Sequence, residues 1–158
     1  GRHVIQQSGM QGCVAAATNM VLMDFGRPPD LDRQYESHFD NDNVILKTLK
    51  KVGLHGEIVE FPRSFGSGGR ELSSLEQLRV IEARVALLER LTAAGKGVLL
   101  GDSSEIGAHQ IVLDRFSYEQ GHATVRDPLH GWSIVVRAKS LLPRLGSTAI
   151  VVTDPHRG

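Results

Sequence analysis

One cysteine in 158 residues leaves this sequence without any internal disulfide or multi-cysteine zinc site. It also lacks net charge, with 18 Lys+Arg balanced by 18 Asp+Glu, so no uniform field draws the protein toward nucleic acid or anionic lipid. Arginine supplies 13 of the 18 cations. They are scattered along the chain and read as surface and structural residues. Aromatic residues make up 5%, too few for a base-stacking platform, which together with the charge balance argues against nucleic-acid binding. No run reaches the ~18 apolar residues of a membrane span, and no basic segment followed by an apolar stretch opens the chain. His-Glu-x-x-His and His/Cys clusters are absent, which disfavours metal hydrolysis. Gly66-Ser67-Gly68-Gly69 lacks the lysine and the strand–helix context of a phosphate loop and reads as a plain loop. No metal and no cofactor are expected.

What is present suits a globular domain. The hydrophobic fraction of 41% and charged fraction of 23% are ordinary, and a chain this long buries roughly 70% of its unfolded surface. A single domain over 1–158 is expected, cut from a longer polypeptide because residue 1 is Gly and not Met. Cys13 to Met23 (CVAAATNMVLM) is apolar on nearly all sides, predicting a buried central helix that ends near Gly26 and the Pro28-Pro29 pair. Asn41 to Val52 predicts an amphipathic helix with apolar residues at 45, 46, 49 and 52 and Gly53 past its end. Asp30 to Phe39 is a weaker helical segment.

Gly56 to Phe61 reads as a strand and Pro62 to Arg70 as a loop. Ser73-Ser74-Leu75-Glu76 matches a capping box. The helix after it puts Leu78, Ile81, Val85, Leu88 and Leu91 on one stripe and stops at Gly95. Strands are expected at Gly97–Leu100, Ala108–Phe116, His122–Arg126, Trp132–Arg137 and Ser147–Thr153, with turns at Tyr118–Gly121 and Asp127–Gly131. Helices first and antiparallel strands afterward define an α+β domain, with its helical half packed on a sheet.

Four residues carry candidate chemistry. Cys13 sits at the first turn of the buried helix, where the positive end of the helix dipole favours the thiolate. The ordinary fate of a lone cysteine is a small buried hydrophobe. Gln7, six residues earlier, could supply an amide donor to the oxyanion of an acyl transfer, with Gln6 and Gln11 as rivals. His109 alone of the 7 histidines heads a long apolar strand, directly after Gly107 and Ala108. Asp127 ends the following strand. A hairpin would bring it back beside His109, where a carboxylate fixes the imidazole tautomer and stabilises the imidazolium. Asp114 competes for that role but lies on the same strand as His109 and should point away from it.

Together these residues resemble the papain-like cysteine peptidases. The order is a Gln, a Cys six residues on at the start of a buried helix, then a strand-borne His and an Asp on the next strand. More closely, Gln7 to Met20 (QSGMQGCVAAATNM), Ile45 to Leu54 (ILKTLKKVGL) and Ala108 to Val135 (AHQIVLDRFSYEQGHATVRDPLHGWSIV) resemble the C39 peptidases, which cleave leader peptides after a double glycine. The resemblance covers about two thirds of the chain and implies Cys13 as nucleophile, His109 as general base, Asp127 as orienter and Gln7 as oxyanion donor. It implies a protein or peptide substrate with a Gly-Gly site and a narrow cleft walled by Trp132 and the loop around His130, although Trp132 also reads as an ordinary core or rim aromatic. The sequence departs from the family at Gly12-Cys13-Val14, where Asp-Cys-Gly is usual, and residues 62–95 look like an elaboration. The resemblance extends to papain-fold toxin domains of secreted bacterial proteins, which act in a cytoplasm and are restrained by an immunity protein. The same residues would also serve a transglutaminase, deamidase or acyltransferase working through a thioester, and a peptidase-like binding module keeps the fold without the chemistry.

Overall fold

The computed structural model describes residues 4–5, 13–29, 42–62, 71–93, 97–104, 107–128 and 131–156, with the backbone alone at 101–104, 107–109 and 147. The helix expected at Asp30–Phe39 and residues 63–70 lie outside the described residues. Helix α1 spans Cys13–Asp24 and α2 spans Asp42–Lys51. Both end where glycine permits a left-handed residue. After α1, Gly26 (φ 71°) donates to the Met23 carbonyl while Arg27 N–H reaches back to Leu22. After α2, Gly53 (φ 79°) and Leu54 make the same pair of bonds to Lys50 and Leu49. This Schellman geometry satisfies the last helical carbonyls and turns the chain sharply.

Strand β1 (His55–Glu60) follows, then α3 (Ser74–Ala93), β2 (Gly97–Ser104), β3 (Gly107–Ser117), β4 (His122–Asp127), β5 (Trp132–Arg137), the short helix α4 (Ala138–Leu141), a 3₁₀ turn at Leu142–Arg144 and β6 (Leu145–Thr153). The strands form one sheet in the order β1-β6-β2-β3-β4-β5, every pairing antiparallel. This is the expected α+β class, a helical amino-terminal half with its Cys-bearing helix packed on an antiparallel sheet. Helices cover both faces of that sheet. Leu99, Val112, Ile150 and Val152 cluster with α1 and α2. Their sequence neighbours Val98, Leu100, Ile111, Leu113 and Val151 face α3 and α4. Strand alternation produces this split, because successive side chains leave opposite faces.

The α1 layer sits close to the sheet because glycines admit it. A Cβ at Gly97 would stand 2.7 Å from Val21 Cγ1 and 3.3 Å from Phe25 Cε2. α1 itself is enclosed, with every residue from Cys13 to Leu22 buried.

The apolar stripe expected along α3 needs correction. Leu88 and Leu91 are buried and Val85 packs partly against the core, but Leu78 and Ile81 are 51% and 40% exposed. The helix starts where the capping box predicts, with Glu76 N–H donating to Ser73 Oγ (3.2 Å) and Ser73 N–H to Glu76 Oε1 (3.1 Å). Its first turns then extend past the sheet beneath it. The sheet's two edges also differ. β1 carries exposed Glu57 and Glu60 beside exposed Ile58, whereas β5 carries exposed Trp132 and Val135 and meets no charge before Arg137.

Candidate active site

Cys13 is the first residue of α1 and is buried, 7% exposed, at one end of the α1 cluster. The helix that it opens packs along β3. α1 rises about 16 Å from Cys13 to Asp24 at ~1.5 Å per residue. β3 covers a similar ~16 Å between His109 and Asp114 at ~3.3 Å per residue. Asp24, at the far end of α1, is hydrogen-bonded to Arg126, which also holds Asp114. That end of α1 is tied at the level of Asp114, and the helix body lies over Val112.

His109 occupies β3 opposite Asp102 of β2. The β2–β6 ladder changes register between Leu100 and Asp102, with the additional residues on β6 between Leu145 and Ala149, whereas the β2–β3 ladder runs through His109 without a break. The His109 side chain is not among the described groups. Asp127 is the last residue of β4. It follows Arg126, whose register partner Val112 is three residues along β3 from His109. The turn that begins at Asp127 is closed by Gly131 N–H on the Asp127 carbonyl at 2.8 Å, with Gly131 at φ 69°. Trp132 pairs with Asp127 across β4–β5 and is 47% exposed, a rim position. Gln7, its rivals Gln6 and Gln11, and His130 lie outside the described residues.

Sequence reasoning missed the charged group that joins these elements. Arg126 was expected among surface and structural arginines, yet it is completely buried, 0% exposed. Its Nε and Nη2 donate to Asp114 Oδ2 (2.9 Å) and Oδ1 (2.8 Å), and its Nη1 and Nη2 donate to Asp24 Oδ1 (3.1 Å) and Oδ2 (2.6 Å). Asp114, the rival orienter, is thus engaged by Arg126. The signal available in the sequence was a charge directly after each of three apolar stretches, at Asp24, Asp114 and Arg126, because a buried charge needs a partner.

A cleft of about 650 Å³ lies elsewhere, between α3, the Leu142–Pro143 turn, Tyr118 and Lys139. Arg84 lines it, bonded to the carbonyls of Pro62 and Leu142, and desolvation lowers its pKa from the usual arginine value. This cleft is on the α3 side, across the sheet from the Cys13 cluster. Among the described residues no group of His, Cys, Asp and Glu is disposed to hold a metal ion. No described helix is long and apolar enough to cross a membrane.

The arrangement of helix and sheet defines a class. The chain has the papain-like fold of C39 peptidase domains. The double glycine motif protease of an AMS/PCAT transporter, solved in complex with its leader peptide, superposes with a TM-score of 0.67 at 16% identity, over 96% of this chain and 91% of that one. The peptidase domain of Streptococcus ComA, a bifunctional ABC transporter, gives a TM-score of 0.61 at 11% identity, covering 97% and 98%. The C39-like domain of a toxin secretion ATP-binding protein from Vibrio parahaemolyticus gives 0.57 at 14% identity, covering 92% and 99%. No family model and no curated protein matches the sequence.

Proposed function

We propose that the protein is a cysteine peptidase acting through Cys13, His109 and Asp127, with Gln7 as a side-chain oxyanion donor. The observation that carries this reading is that the chain's single cysteine opens the buried helix of a C39-like fold. Supporting it, β3 and β4 bear the His and the Asp on adjacent antiparallel strands. In this reading His109 takes the Cys13 proton and the thiolate attacks a peptide carbonyl. Gln7 and the Cys13 N–H meet the oxyanion. The imidazolium then protonates the departing amine as the C–N bond breaks, leaving a thioester that water hydrolyses to a carboxylate and the free thiol. Residues 1–158 act as one catalytic unit. The preferred substrate is a peptide with a Gly-Gly site, since the leader peptide bound by the AMS/PCAT neighbour belongs to a double-glycine protease. A toxin context and an immunity partner draw on the sequence resemblance alone.

The test is incubation of the protein with a panel of Gly-Gly-containing peptides, products being read by mass spectrometry. Cleavage should occur in wild type and vanish in Cys13→Ala, with the unfolding midpoint nearly unchanged. Full activity in Cys13→Ala would refute the mechanism. Products carrying a new amide to an added amine, and none hydrolysed, would move the assignment to a transferase of the same fold.

A further inference from the structure

Asp24, Asp114 and Arg126 belong to three different elements. Asp24 ends α1, whose first residue is Cys13. Asp114 lies on β3, which carries His109. Arg126 lies on β4, immediately before Asp127. The guanidinium forks onto both carboxylates through four hydrogen bonds of 2.6–3.1 Å, and the three side chains are 0%, 4% and 10% exposed. Two bidentate charge-assisted contacts at one planar group fix orientation as well as distance.

The backbone is shaped around this contact. The β3–β4 register shifts between Leu113 and Arg115, so Asp114 is the additional residue of a bulge, a feature that re-aims a side chain at the expense of ladder regularity. On stability alone such a group is poorly justified, because burying three charges costs solvation that well-packed apolar residues would not. A clamp that holds three elements in register makes sense of that expense.

Building on the proposed peptidase reading, we infer that Arg126 is a positioning residue: with Asp24 and Asp114 it locks the Cys13 helix, the His109 strand and the Asp127 strand into one geometry. It touches no substrate. Its effect reaches the chemistry by fixing where α1 begins relative to β3 and β4.

Arg126→Lys keeps a cation and loses the double fork. The triple variant Asp24→Leu, Asp114→Leu, Arg126→Met removes all three charges, and comparable replacements in other proteins preserve or raise stability. Thermal unfolding reports the fold, and the rate of Cys13 alkylation by iodoacetamide between pH 5 and 9 reports the Cys–His pair. Wild type should alkylate rapidly well below pH 7. Both variants, while folded, should lose at least about tenfold of the rate at pH 5.5 and regain it as pH approaches the ordinary thiol pKa of ~8.5. A purely structural role would lower the melting temperature and leave that pH profile unmoved. A folded triple variant with the wild-type profile overturns the inference while leaving the peptidase reading intact. An ordinary thiol profile in wild type itself overturns that reading, and the inference with it.

Discussion

Replacing Gly97 with alanine tests how tightly α1 is seated on the sheet. Gly97 has no left-handed φ, since the positive values belong to Gly26, Gly53, Gly121 and Gly131. Alanine can therefore adopt its backbone, and relief of unfolded-state entropy favours the variant by about 0.4–1 kcal/mol. Against this, the new methyl would lie 2.7 Å from Val21 Cγ1, 3.3 Å from Phe25 Cε2 and 3.5 Å from Val152 Cβ. Carbon atoms prefer roughly 3.5–4.0 Å, so Val21 must withdraw by about 0.8 Å. Val21 is fully buried, and its branched side chain has little freedom to turn aside. Overpacking of this kind costs about 1–3 kcal/mol, leaving a net loss of about 1–2 kcal/mol. Val21→Ala alone should lose about 2 kcal/mol, through the transfer of its two methyl groups and a small cavity.

The double variant decides the matter. With Val21 shortened, the alanine methyl enters the vacated space, so the pair should be less destabilised than the sum of the singles by about 1–2 kcal/mol. Urea unfolding followed by circular dichroism, with unchanged slopes, measures each corner of the cycle. Additivity within ~0.5 kcal/mol would refute the argument, and so would a Gly97→Ala protein more stable than wild type, because the methyl could not then be meeting Val21.

Two further outcomes follow from α3. Ser73→Ala, which removes the hydroxyl bonded to Glu76 N–H, should cost about 1 kcal/mol, within the usual range for a lost N-cap, and should raise amide exchange in the first turn. Leu88→Ala, at a position 0% exposed, should cost about 2–5 kcal/mol, whereas Leu78→Ala at 51% exposure should stay within ~0.5 kcal/mol by chemical denaturation. Equal losses at the two leucines would refute the correction made to the α3 stripe.

The sequence displayed those features that depend on neighbours in the chain. The apolar run Cys13–Met23, Gly53 past α2, the Ser73–Glu76 box and the alternation in β3 are local signals, and the elements form where they indicate. Periodicity overreached on α3 because it marks which side of a helix is apolar and not how far the opposing surface extends. The core beneath α3 meets Leu88 and Leu91 and ends before Leu78. The clamp was illegible for a different reason. Arg126 and Asp24 are 102 residues apart in sequence, and only the sheet and its bulge bring them together. Cys13 was readable as the start of a helix, but its placement relative to β3 depends on that same long-range contact.

The unlike edges of the sheet bear on self-association. A growing β-fibre needs each chain to offer two receptive edges, one to take on a neighbour and one to be taken on. Here the outer edge strand β1 presents Glu57 and Glu60 on either side of the exposed Ile58, and charged edges of this kind resist pairing. Of the two edge strands among the described residues, β5, with Trp132 and Val135 exposed, is the less charged. Pairing of two such edges about a twofold axis would consume that edge of both molecules and close the assembly. Charge on β1 thus disfavours open-ended, edge-to-edge growth of the sheet.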